Sequence, residues 1–262
     1  MGRRHLFELE DQHWLPNQLR SLVTDLLQYQ LTTFELYKPI IPHLKKVMQT
    51  TDCHQIVDLC SGGGGPLLQI QETLVKEGYP VSVTLTDKYP NLEAFRRIRQ
   101  LSGNQIDFKA EPVEATNVSS ELKGIRTLFT SFHHFQPEAA KKIIIDAVEK
   151  NAVIGIFEFT ERRFYNVIGT ILLTFLLVLF QTPFVRPFKW SRLFWTYVIP
   201  FSPFICFWDG MVSNFRTYST VELQDMISDM KSETYTWEIN QLKSKFGLHI
   251  TYLIGHPAKS GQ

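Results

Sequence analysis

"VDLCSGGGGPLLQ", Val57–Gln69, decides how the chain is read. A short apolar run closes on Asp58. Cys60 stands where a glycine would be at home, four glycines follow, and Pro66 opens a helix-like stretch, a residue suited to a first helical turn. A glycine-rich turn between a strand and a helix removes side chains so that a ligand can approach the backbone, and in doubly wound sheets this happens beyond the carboxyl ends of the strands.

Outward from this turn the chain alternates β-rich and helix-period runs. "VSVTLTD" (Val81–Asp87), "IDFKA", "IRTLFTS" and "AVIGIFEF" read as further strands after "QIVDL" (Gln55–Leu59). Helices are expected over Asn91–Gln100, with Asn91 as N-cap, and over Pro137–Lys150. Such alternation predicts a parallel sheet with helices on both faces. At the end "STVE" (Ser219–Glu222) is a capping box, and "YTWEINQL" and "LHITYLIG" are joined too tightly for anything but an antiparallel hairpin. The expected fold is α/β: a doubly wound, mostly parallel seven-stranded sheet with a C-terminal antiparallel hairpin strand, N-terminal helices and an apolar helical insertion. The corresponding segments are 1–50, an N-terminal helical cap; 51–160, the cofactor-binding core; 161–216, the insertion; and 217–262, which completes the sheet.

The ligand is narrowed by what the turn lacks. A phosphate-binding loop needs Lys-Ser/Thr after its glycines, and Pro66-Leu67 follows instead. A dinucleotide fingerprint read from Gly62 would want a small residue where Leu67 stands. Asp58, Cys60, Gly62 and Gly64, with Gly63 between them, resemble the Asp/Glu-x-Gly-x-Gly-x-Gly motif of the class I methyltransferases, Cys60 replacing the first glycine. The resemblance implies S-adenosylmethionine as cofactor. Its ammonium would meet Asp58, and its carboxylate the loop N–H groups and helix N-terminus. It further implies that Asp87 accepts from both ribose hydroxyls, that Glu114 in "VEAT" lies near the adenine amino group, and that the terminal hairpin carries the family's antiparallel seventh strand. It covers approximately residues 50–160 and 217–256. The familiar Pro-Gly-Gly turn is absent near Lys150-Asn151.

His133 and His134 follow the fourth strand, where methyl and acceptor should meet, and are the candidate catalytic bases. No third ligand stands at metal spacing, so no metal is expected. Glu158, Asp209, Arg216 and Tyr218 are the candidate acceptor contacts, with "WDGMVSNFRTYS" (Trp208–Ser219) read as a cavity-lining loop. Glu158 could instead pair with Arg162 or Arg163, and Asp209 with Arg216. "FELEDQHWLPNQLR" could cover the cofactor, with Trp14 and Tyr37 as aromatic walls.

Twenty-seven basic against 26 acidic residues create no field that would draw nucleic acid. Cys53, Cys60 and Cys206 are too few and scattered for a disulfide framework, which with the acidic N-terminal stretch points to the cytoplasm. Between the fifth strand and the capping box, Phe164–Val185 and Leu193–Trp208 are uncharged, separated by Arg186, Lys189 and Arg192. "ILLTFLLVLF" is apolar on every side, which favours an in-plane or re-entrant hairpin at a membrane surface, its basic connector among headgroups, over a buried lid. Either way the acceptor is expected to be an apolar or amphipathic small molecule. The alternatives are a non-catalytic membrane module that keeps the fold, and an NAD-linked oxidoreductase.

Overall fold

The computed structural model describes residues 2–230 and 234–258; the last four positions of the fourth expected segment lie outside them. Seven strands form one sheet: β1 Gln55–Asp58, β2 Ser82–Leu85, β3 Ile106–Phe108, β4 Ile125–Phe129, β5 Ile154–Glu158, β6 Tyr235–Lys243 and β7 His249–Pro257. Their order is β3-β2-β1-β4-β5-β7-β6, and β7 runs antiparallel between β5 and β6. The strand order reverses at β1, so the loops after β1 and β4 open into one crevice at the carboxyl edge, where such sheets take ligands.

Side chains alternate across the sheet. Ile56, Phe129 and Phe157 face one core with α2 (Ile41–Thr51), α3 (Leu67–Lys76) and α4 (Leu92–Leu101), while Val57, Leu128 and Ile156 face the other with α5 (Pro137–Glu149). Asn91 caps α4 by accepting from the Ala94 N–H at 3.2 Å. Asn151 takes φ +48° in the turn before β5, a left-handed conformation that asparagine tolerates, so the turn forms without glycine.

One expectation is made specific here and another is corrected. The N-terminal helical segment is two helices, α1 (Asn17–Thr33) and α2, divided by a turn through Glu35 at φ +48°. The stretch read as a loop, Trp208–Ser219, is mostly helix: α8 spans Phe201–Arg216, its Pro203 sitting in the first turn where no intrahelical donor is lost. The insertion is a helical hairpin of α6 (Phe164–Gln181) against α8, joined through the short α7 (Trp190–Leu193) and a π-helical turn, Phe194–Val198. The following helix, α9 (Thr220–Met226), begins at the expected capping box.

Candidate active site

The glycine turn is a shaped cradle. Gly62, Gly64 and Gly65 have φ of +53°, +93° and +46°, and Cys60 itself stands at +57°. A Cβ on Gly64 would lie 2.9 Å from Ile98 Cγ1, so packing alone excludes a side chain there. Gly63 is nearly as close to the chain, 3.3 Å from the Thr24 carbonyl oxygen. At Gly62 and Gly65 nothing lies within 4 Å of an added Cβ, so the surface is bare there without any protein neighbour to require it. Asp87 sits beside that open space two residues past β2. Its Oδ2 accepts from the Gly62 N–H at 2.9 Å and its Oδ1 from the Tyr89 N–H at 2.8 Å. A carboxylate has about four acceptor sites, so each oxygen keeps one for a ligand while the backbone fixes its direction. The two acceptor oxygens fit a ribose diol.

Asp58 is placed differently from its expected role. It is 2% exposed and turned beneath the loop, accepting from Ser61 at 2.7 Å and Thr127 at 2.6 Å. Burial pushes its carboxyl up to about 7 despite those two hydroxyls. An ammonium could reach it only where these bonds leave a lone pair free. Burial and the Asp87 and Asp58 carboxylates push the Cys60 thiol up, which keeps it a neutral lining group. Glu114 pairs with Lys88 at 2.7 Å on the half-exposed rim.

The N-terminal strap, residues 3–15, crosses from this cradle to a second space. His13 meets Tyr89 edge-on, and Leu9 and Glu10 donate their backbone N–H groups to Asp209 at 2.6 and 3.0 Å. Glu8 lies 3.1 Å from His134 Nδ1 and 3.4 Å from Arg216, and Asp11 holds the same two cations at 2.9 and 2.6 Å. Asp209 and Arg216 therefore do brace the molecule, each to the strap and neither to the other. Tyr218 lies against the second core, donating to the Phe135 carbonyl at 2.8 Å beneath the Arg3 guanidinium. Tyr37 is a core side chain, while Trp14 is 68% exposed, so neither forms the expected aromatic wall.

The histidines are both engaged. His133 Nδ1 faces Glu158 at 2.8 Å, so Glu158 partners a histidine; Arg162 pairs with Glu222 and Arg163 with Glu161. Burial alone would lower His134, but the Glu8 and Asp11 carboxylates hold its imidazolium up to about 10. At neutral pH it can donate a proton and orient a ligand; it has no free nitrogen lone pair with which to act as the expected base. The strap also brings Glu8 to the two histidines, so that atoms of Glu8, His133 and His134 lie within 4.8 Å of one another, but the protonated His134 leaves this cluster short of a ligand for a cation. Arg216 and the neighbouring pairs already neutralise this group.

Above the strap, α1, α6 and α8 enclose a cavity of about 640 Å³. Glu8, Glu10, His134 and Asp209 form its polar wall, while Leu26, Leu27, Phe34, Leu173 and Leu177 are among its apolar lining. Of the expected acceptor contacts only Asp209 lines it, together with both histidines; Glu158, Arg216 and Tyr218 stand behind the wall. Glu8, Glu10 and Asp11 were missed because nothing local in "FELEDQHW" says that this segment folds 200 residues away onto α8.

No family model and no curated protein matches this sequence. Among solved structures, the citrinin polyketide synthase CMeT domain aligns with TM-score 0.54 at 12% identity, over 92% of this chain and 57% of that one. PigF with SAH aligns at 0.52 and 13%, over 94% of this chain and 62% of that one. The fold is that of the class I methyltransferases. A structure described as a putative Zn-dependent alcohol dehydrogenase from Rhodobacter sphaeroides aligns at 0.51 and 9%, over 91% of this chain and 98% of that one. Overall shape at such identity is shared by proteins described with different chemistries, so the chemistry has to be argued from the site itself.

Proposed function

We propose that the protein is an S-adenosylmethionine-dependent methyltransferase acting on an apolar or amphipathic small molecule, and that it works against the cytoplasmic face of a membrane. The observation that carries this reading is the pairing, along one edge of the sheet, of a bare cradle beside an oriented carboxylate with a largely apolar cavity. Gly62, Gly65 and Asp87 would hold the cofactor, which supplies an electrophilic methyl group when bound. The chain's own part is positioning: the strap separates the two spaces from bulk water, and the cavity walls set where the acceptor lies.

Support for the membrane comes from α6. Only 22% of its most apolar window is buried, and Phe164, Leu172, Leu176 and Phe180 are 63–73% exposed. Trp190, Phe184 and Phe188 extend this apolar surface, far beyond the scattered hydrophobic residues of an ordinary soluble face. Leu173, Leu177 and Tyr165 both line the cavity and reach the surface, so its mouth opens on this face and an amphiphile could enter from a bilayer. The basic connector contributes less than its sequence suggests. Arg192 is buried against Asp25 at 2.5 Å and Lys189 lies 3.0 Å from the same carboxylate, which leaves Arg186 as the exposed cation. Attachment is therefore chiefly apolar and aromatic, and should survive high salt.

The test is to mix the protein with vesicles made from a total lipid extract and methyl-labelled S-adenosylmethionine. Sedimentation with the vesicles in high salt, and label in the organic phase, are expected. Protein that stays in the supernatant rejects the membrane part, and the absence of labelled product with any lipid or detergent-dispersed extract rejects the catalytic part.

A further inference from the structure

The polar wall of the cavity has more negative than positive charge. Three carboxylates line it, Glu8, Glu10 and Asp209, with Asp11 just behind, against two paired cations, His134 at the wall and Arg216 behind it. Three of the carboxylates are satisfied: Glu8 and Asp11 by those cations, Asp209 by two backbone N–H groups. Glu10 differs. Its backbone is fixed by Asp209 and by Arg20, which donates to its carbonyl at 3.0 Å, yet its carboxyl has no side-chain partner among the described residues. The half-buried Glu10 carboxyl thus lines the cavity with its acceptor capacity unused, and a ligand there can supply the donors.

We propose that Glu10 is the recognition point for the ammonium group of a long-chain amine, so that the acceptor is an amphiphile with a primary or secondary amine at its polar end. This rests on the methyltransferase reading and deepens it. An ammonium supplies the missing positive charge and N–H donors, while its chain lies along Leu26, Leu27, Leu173 and Leu177 toward the apolar face. Glu10 is also placed to take one N–H proton, after which the nitrogen lone pair would form the new N–C bond while the cofactor's S–CH3 bond breaks and its sulfur leaves as a thioether. A hydroxyl, many units less acidic, would give Glu10 nothing comparable to take.

The experiment compares binding of dodecylamine and 1-dodecanol, below their aggregation concentrations, to the wild-type full chain and to Glu10→Gln. S-adenosylmethionine is titrated into the same samples. The wild type should prefer the amine by about tenfold or more, the range for hydrogen bonds to a charged group. Glu10→Gln should erase that preference while binding the alcohol as before. Equal affinities in the wild type overturn the proposal whether or not the variant folds, and so does a preference that persists in a folded Glu10→Gln. Amine preference without S-adenosylmethionine binding would sink the methyltransferase reading and leave the ammonium site standing. Cofactor binding without amine preference would do the reverse.

Discussion

The cofactor cradle and the acceptor cavity lie along the same sheet edge and are built in opposite ways. The cradle is mostly local: eight residues, Asp58–Gly65, with one partner carboxylate, Asp87, joined at Ser61 and Gly62 by hydrogen bonds that span 3 and 25 positions, while Thr127 reaches Asp58 from 69 positions away. The cavity is assembled from the strap, α1, the residues after β4, α6, α8 and the β6–β7 turn. Its polar wall is tied together across about 200 positions by ion pairs and backbone donors to Asp209. Local construction makes a site that a motif can announce. Long-range construction makes one that depends on buried charge pairs and can change without disturbing the sheet.

Removing a cation from the cavity wall should produce the largest separation of the two regions. Arg216 is 3% exposed and holds both Glu8 and Asp11. Arg216→Met would leave buried carboxylates short of a partner, a loss of about 3–5 kcal/mol, or about 6–20 °C in melting temperature for a chain of this size. Because the strap would be released and the cradle would not, dodecanol binding should weaken while S-adenosylmethionine affinity stays within about threefold. Calorimetry and the two titrations check this, and an equal loss at both sites would show that the regions are one unit.

A smaller effect probes the cradle. Asp58 is held up to about 7 in the folded protein against about 3.9 unfolded, so the native state binds its proton more tightly. Its contribution to stability is full below the unfolded value and is lost as pH rises through 7. Asp58→Asn removes this titration, so the free energy of unfolding should fall less between pH 4 and 7 than in the wild type, by an amount on the order of 1–3 kcal/mol. Parallel curves would mean that Asp58 is not buried as a carboxyl beneath the loop.

The same contrast explains what could be read in advance. Strand alternation, the Asn91 cap, the Ser219–Glu222 capping box and the closing hairpin are short-range signals, and each lies in the structure where its pattern placed it. The glycine motif was legible because positive φ and close approach are demanded at neighbouring positions. Glu10 was not, because its importance comes from what α8 and α1 bring against it. Trp208–Ser219 was misread for a related reason: its polar residues suggested a loop, but Asp209, Ser213 and Arg216 are polar because one face of α8 meets the strap. Arg192 likewise looked like a headgroup contact until α1 supplied Asp25.

The central claim is that the bare surface beside Asp87 is shaped for S-adenosylmethionine. Titrating S-adenosylmethionine and NAD into the wild type, Gly62→Val and Asp87→Ala tests it by calorimetry. The account predicts saturable binding of S-adenosylmethionine alone. It predicts a loss of about 1.5–3 kcal/mol in Asp87→Ala, where the ribose hydroxyls lose a charged acceptor, and at least as large a loss in Gly62→Val, whose side chain would occupy the open space. Preferential binding of NAD by the wild type, or S-adenosylmethionine affinity unchanged in both folded variants, would contradict it.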